Sequence, residues 1–170
     1  MRLVGKRGRF LLAAVALSLV TVVSLASSGA AAPHDPGVPG NQTLTLLGKR
    51  GAITLPAVPA LGIGFMAGGD LYDSTGVTKM GTSYSSCSVV AISVAVPPVI
   101  TAECTTVFSL AGGELYLGSL RDYLSGGFSN AKVAVLGGTD SYNNVRGDGT
   151  VSVTDPTAHS YTFTINLISS

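Results

Sequence analysis

"AVLGGTDSYNNVRGDGTVSV", Ala134 to Val153, sets a paired glycine, an Arg-Gly-Asp and a polar run between two apolar segments. A phosphate loop, an adhesion tag, a metal loop or the turn of a β-hairpin could each use such a stretch. A phosphate loop needs a helix after its glycines, and a Lys followed by Ser or Thr. Here a second β-like run follows, and no lysine is present. Asp140, Asn143, Asn144 and Asp148 offer oxygens, but not at the spacing of a helix-loop-helix calcium loop, so no metal site is read. Arg146-Gly147-Asp148 is a three-residue match at the start of a strand. The hairpin accounts for the whole stretch. Gly137 and Gly138 supply positive φ angles at a tight strand exit, Asn143 and Asn144 tolerate left-handed geometry, and Gly147 is the third turn glycine.

The ends of the chain set the compartment. Arg2, Lys6, Arg7 and Arg9 precede the apolar run "FLLAAVALSLVTVVSLA", and small residues follow in "SSGAAAP". That order is a secretory signal peptide over residues 1–31, cleaved near Ala31. A membrane anchor is the rival reading, because the run approaches spanning length; no basic stop-transfer cluster follows it. The expected product is secreted (extracellular) and free of the membrane after cleavage. Residues 32–42, with "PHDPGVPGNQ", read as a disordered leader, and residues 43–170 as a single domain. The exported chain keeps six basic and nine acidic residues, a net charge near −3. Without a basic face, nucleic acid is excluded as a partner.

Charged residues make up only 11% of the chain and tryptophan is absent, while Gly, Ser, Thr and Val abound. This composition favours an all-β domain rich in turns. The period is clearest at the end: Tyr161, Phe163, Ile165 and Leu167 alternate with Thr162, Thr164 and Asn166. "TLTLLG" reads as the first strand and "GKRG" as a charged turn. Pro56 and Pro59 delay the next strand to about Leu61. Asp73 to Gly76 is a turn, and "RDYLSGGFSN" a loop. About eight such strands, with no long amphipathic helix, suggest an up-and-down antiparallel barrel or a sandwich. Closure would remove exposed edges. Cys87 and Cys104 flank the "VPP" turn at Val96–Pro98, and an even count in an oxidising compartment points to one bridge. It would close a loop of about seventeen residues and contribute roughly 3 kcal/mol. Two buried thiols are the alternative.

"GGTDSYNNVRGDGTV" resembles the "GGTG-x-Y/F-x-x-x-RG" hairpin of the allene oxide cyclase and dirigent proteins. "GDLYDSTGVTKMGTSYSSCSVV" is similar to that group's glycine–aspartate–apolar strand, its turn, a glycine at Gly81 and a cysteine at Cys87. "TTVFSLAGGELYLGSL" and "YTFTINL" resemble its next hairpin and its closing strand, so the likeness runs from Leu61 to Leu167. The resemblance implies an eight-stranded antiparallel up-and-down β-barrel with an apolar cavity for a small apolar molecule. It also implies chemistry without a cofactor or metal. Members commonly form trimers, so a homotrimer or homodimer is expected. They act by confinement, holding reacting ends in a near-attack geometry. Three departures stand out. "TLTLLGKRG" lacks the glutamate that plant cyclases carry on the first strand, Gly69 stands where they carry asparagine, and Asp140 stands where the hairpin has glycine.

If Cys87 faces the lumen, as the resemblance implies, alternation sets Ser83, Ser85 and Val89 beside it. Thr106, Phe108 and Leu110 then accompany Cys104. These residues are expected either to line a ligand cavity or simply to fill a small barrel. Asp70, Tyr72 and Arg146 lie near strand ends and either ring the barrel mouth or serve the structure. His159 is read as a surface turn residue, or alternatively as a general base. No nucleophile-elbow spacing occurs, so hydrolysis has no support. Three functions remain open. The first is a secreted cofactor-independent isomerase, cyclase or dirigent-type barrel directing cyclisation or coupling. The second is a non-catalytic carrier of a hydrophobic ligand, and the third a structural cell-surface barrel with a filled lumen.

Overall fold

The alternation read in the last strand is the building rule of the whole molecule. The computed structural model describes residues 41–124 and 127–169. Its strands are β1 (Gln42–Ile53), β2 (Gly64–Tyr72), β3 (Lys79–Ile92), β4 (Ile100–Leu110) and β5 (Gly113–Leu124). They continue as β6 (Gly127–Phe128), β7 (Ala131–Gly138), β8 (Val145–Asp155) and β9 (Ser160–Ser169). Each long strand runs antiparallel to its neighbour in the chain, and β9 returns to pair with β1, from Gln42 opposite Leu167 to Lys49 opposite Ser160. Eight strands thus close into an up-and-down barrel, with the two-residue β6 set beside the end of β5. The expected signal peptide and most of the expected leader lie outside the described residues; Gln42, expected in the leader, opens β1. Among the described residues no helix is long and apolar enough to cross a membrane.

The inward face is the core. On β9, Tyr161, Phe163, Ile165 and Leu167 are buried while Asn166 and Ile168 are exposed. Phe108 is fully buried and meets Phe163 edge to face, with ring centroids 4.9 Å apart. Leu46, Leu71, Leu115, Leu117, Val145 and Val151 complete the same packed layer. Eight strands leave an interior about wide enough for side chains to fill, or for one small ligand.

Two expected turns are strand instead. "GKRG" lies within β1, because the inward series Leu44, Leu46 and Gly48 continues to Arg50 before a register shift between Arg50 and Ala52. "RDYLSGGFSN" is part strand, because Leu115, Leu117 and Ser119 on β5 are followed by Arg121 and Tyr123 on the same face. In both places a charged residue broke the apolar pattern without breaking the ladder. The second strand begins at Gly64, three residues after the expected start. The Asp73–Gly76 turn forms as expected. The Asp73 carboxylate accepts from Thr75 Oγ1 at 2.7 Å and from the Val77 N–H at 3.1 Å.

The stretch between β7 and β8 is the expected hairpin turn, with a short 3-10 turn at Asp140–Tyr142. Asp140 adopts φ +50° and Asn144 φ +62°, whereas Asn143 has φ −60°. The aspartate standing in place of the family's glycine therefore takes the left-handed conformation that Asp and Asn tolerate best after Gly. Gly137 has a positive φ, +148°, but Gly138 does not. Gly138 is needed for close approach: a Cβ there would lie 2.5 Å from the Glu114 carbonyl oxygen and 2.5 Å from Tyr142 Cβ. Gly147 combines both constraints, with φ +146° and the Asn166 carbonyl oxygen where its Cβ would go.

Cys87 on β3 and Cys104 on β4 are directly opposed, their Cα atoms 4.1 Å apart, and form a disulfide. Each is 2% exposed. The bridge ties the β3–β4 hairpin from inside the barrel.

Two outcomes follow for stability. Replacing both cysteines by alanine lowers the unfolding free energy by roughly 3 kcal/mol; an unchanged urea midpoint would show that the bridge contributes nothing. Gly147→Ala costs more than about 1 kcal/mol, since both its φ and its missing Cβ are required. The exposed neighbour change Asp148→Ala stays within about 0.5 kcal/mol, and equal melting temperatures for the two variants would contradict this account.

Candidate functional site

Toward one end the barrel is not filled throughout, although Phe65, Val89 and Ile100 are buried there. At this end β1, β3, β5 and β8 finish while β2, β4, β7 and β9 begin. Gly48, Ala67 and Gly68 present little or no side chain there, which leaves a small cleft open to solvent. Its walls divide by chemistry. Phe128, Tyr161 and Phe163 form an aromatic side, and Arg50, Arg121, Ser83 and Ser85 a polar one. The cavity is thus aromatic and cationic, where the resemblance implied an apolar one.

Arg50 sits opposite Gly69 of β2, and its backbone N–H donates to the His159 carbonyl at 3.2 Å. Arg121 sits opposite Ala102 of β4, whose small side chain leaves room for it. Its guanidinium carbon is 4.4 Å from the Phe128 ring centre and 5.0 Å from that of Tyr161. Both distances are within the range of cation–π attraction. Its Nη2 donates to the Ser129 carbonyl at 3.3 Å. Tyr161 is buried, and its hydroxyl oxygen accepts from the Phe128 N–H at 3.3 Å, which leaves the phenolic proton to donate elsewhere. Gly127 is the meeting point. A Cβ added there would lie 2.8 Å from Tyr161 Oη and 3.8 Å from both Arg50 Nη1 and His159 Nδ1.

Three buried polar atoms in this neighbourhood have no hydrogen-bond partner among the described residues: Arg50 Nη1, Arg121 Nε and His159 Nδ1. A buried polar atom left unpaired costs about 1–3 kcal/mol, and buried arginines ordinarily face a carboxylate. Among the described residues neither arginine has an ion pair, and no acidic side chain lines the pocket. Burial pulls the Arg121 pKa down to about 10, with the Tyr161 hydroxyl opposing the shift and the nearby Arg50 charge adding to it. Arg121 therefore stays charged at neutral pH. From residue 41 onward acidic side chains outnumber basic ones eight to six, yet Arg50 and Arg121 meet at one pocket.

The residues singled out in the sequence fall in three places. Ser83 and Ser85 line the pocket; Ser85 Oγ shares a 2.8 Å hydrogen bond with Thr106 Oγ1. Cys87, Val89 and Phe108 are buried in the core and Leu110 packs against it. With its sulfur in the bridge, Cys87 presents no thiol to the lumen. Asp70, Tyr72 and Arg146 do not line the pocket; they lie at the end of β2 and the start of β8. There Asp70 pairs with Lys79 at 2.8 Å, Lys49 lies over the Tyr72 ring, and Arg146 donates to its neighbour's carbonyl. His159 is half-buried at φ +50°, its Nδ1 beside the pocket cluster and its carbonyl holding Arg50. It is not the surface residue expected from its position after Asp155-Pro156. Arg50, Arg121, Phe128 and Tyr161 were not singled out at all. Continuing the odd-numbered series of β5 and the even-numbered series of β1 by one more step would have found both arginines.

No family model matches the sequence, and no curated protein matches it. Solved structures do. The barrel is similar to a pyocyanin demethylase, with TM-score 0.60 and 21% identity over 74% of this chain and 99% of that one. It is similar to a nonspecific heme-binding cyclase that catalyses a 4 + 2 cycloaddition in neoabyssomicin biosynthesis, with TM-score 0.53 and 15% identity over 76% of this chain and 67% of that one. It is also similar to a pterocarpan synthase dirigent protein, with TM-score 0.50 and 13% identity over 76% of this chain and 94% of that one. At these identities the likeness shows the fold. This chain has the eight-stranded barrel of the allene oxide cyclase and dirigent-like proteins, as its glycine-rich hairpin suggested.

Proposed function

We propose that this protein is an exported barrel that binds one small, largely apolar organic molecule in the pocket between β1, β2, β3, β5 and β9. There it directs a cyclisation or coupling of that molecule. The observation that carries the reading is the pocket itself: a closed barrel whose lumen is packed along its length except for a cleft bounded by aromatic rings and guanidiniums. Such a concave site, with a few polar groups among aromatic walls, is the usual form of a small-molecule site. Fixed walls that hold a flexible substrate with its reacting atoms near bonding distance remove much of the entropic barrier. Charge placed in advance where it develops in the transition state removes more. The barrels that share this fold include a demethylase, a cycloaddition catalyst and a dirigent protein, so the scaffold admits such chemistry on different organic molecules. Export agrees with the bridge between Cys87 and Cys104, because disulfides persist in oxidising compartments.

A carrier without catalysis would use the same pocket, and turnover separates the two readings. Protein purified from its native culture carries a small molecule identifiable by mass spectrometry. Ala67→Leu, which fills the pocket, removes that molecule, while Thr105→Leu on the outer face does not. Retention of the ligand by Ala67→Leu would place binding elsewhere. Conversion of the bound molecule into a cyclised or coupled product by the purified protein supports the directing role, and its release unchanged supports the carrier.

A further inference from the structure

The pocket carries more positive charge than an apolar ligand needs. We propose that it is built for an organic carboxylate, whose two oxygens are held by Arg50 and Arg121 while its flat apolar body lies against Phe128, Tyr161 and Phe163. This deepens the pocket reading given above and rests on it.

The donors come from three strands and converge. Arg50 Nη1 and Arg121 Nε are buried and have no acceptor among the described residues, and the Tyr161 hydroxyl, which accepts from the Phe128 N–H, has a donor to spare. Guanidinium donors are planar and recognise the two oxygens of a carboxylate better than a point charge does. Arg121 is held before any ligand arrives. Its guanidinium lies over the Phe128 and Tyr161 rings, and its Nη2 donates to the Ser129 carbonyl. Arg50 is fixed at its backbone by the His159 carbonyl. Pre-positioning lowers the ordering cost of binding. The two charges sit close enough to disfavour each other. An anion between them relieves that repulsion and pairs the free donors together. A phosphate monoester presents a third terminal oxygen and more charge, and beyond the arginines the polar lining groups are already engaged: Ser83 donates to the Gly69 carbonyl, Ser85 bonds with Thr106, and Lys49 donates to the Gly76 carbonyl. A carboxylate on an aromatic or conjugated body suits both walls.

The test uses the full disulfide-bonded chain and three probes: the flat aryl acid cinnamate, its methyl ester, and phenyl phosphate. Binding is measured by calorimetry and by nuclear magnetic resonance of the arginine side-chain Nε–H groups. Cinnamate is expected to bind about tenfold or more tightly than its ester and than phenyl phosphate, as loss of hydrogen bonds to a charged group predicts. It should move the Arg121 Nε–H resonance. Arg50→Gln and Arg121→Gln should each weaken cinnamate about tenfold and weaken the ester by much less, so that the acid-to-ester ratio falls. Should either variant fail to fold, the acid-to-ester ratio on the unaltered protein decides. Equal binding of acid and ester, tighter binding of phenyl phosphate, a shift confined to other residues, or no cinnamate binding at millimolar concentration each overturns the carboxylate assignment. Ester binding that Ala67→Leu abolishes, with no preference for the acid, would sink this inference and leave the proposed function standing.

Discussion

Pairing of β1 with β9 is the constraint on which the rest of this structure depends. It joins the first and last strands of a meander in which every other strand already pairs with its neighbour in the chain. Once that seam closes, no long strand edge remains to be guarded, and the sheet has an inside. Every second residue then faces the lumen whatever its polarity. Leu46, Gly48 and Arg50 follow one another inward on β1 as strictly as Tyr161, Phe163 and Ile165 do on β9. The arginine enters because the ladder carries it there.

What the lumen becomes is a matter of volume. Phe108, Phe163, Leu115 and Leu117 fill it across the middle, and the bridge between Cys87 and Cys104 occupies one wall. Gly48, Ala67 and Gly68 withhold volume near the other end. Gly48 also lets the Phe163 ring approach, since a Cβ there would lie 2.9 Å from it. The same small residues thus allow tight packing below and a pocket above. Desolvation then makes the two guanidiniums more consequential, because charges interact more strongly away from water. The opposite end is tied down by backbone. Thr139 and Ser141 bond to Glu114 and Gly112, so the β7–β8 hairpin is laid against the β4–β5 turn.

Much of the fold was legible because its signals are local. Tyr161 to Leu167 declares period two in consecutive residues, and the Gly-Gly and Asn-Asn pairs declare a turn in a single stretch. The site was less legible, and the reason is visible at three residues. Arg50 and Arg121 look like turn residues when charge is taken to mean solvent, which is usually right and fails inside a barrel that binds polar groups. His159 follows an Asp-Pro turn and so reads as exposed, yet the seam between β1 and β9 draws its carbonyl onto Arg50. Ser83 and Ser85 were placed correctly on the inner face by alternation, but alternation cannot distinguish a residue that lines a void from one that packs against a neighbour. Phe108 and Ser85 share a face and differ in that respect.

By itself, then, the order of residues determined the all-β class, the meander, the glycine-rich hairpin and the pair of cysteines brought face to face. Each follows from contacts within a strand or between strands adjacent in the chain. The pocket depends on residues far apart in sequence: Arg50, Arg121 and Tyr161 meet only after the last strand has found the first. Which inward positions pack and which leave space, and where unpaired charge collects, are properties of the closed cylinder. Local pattern sets the direction of a side chain, and only tertiary closure sets what stands opposite it.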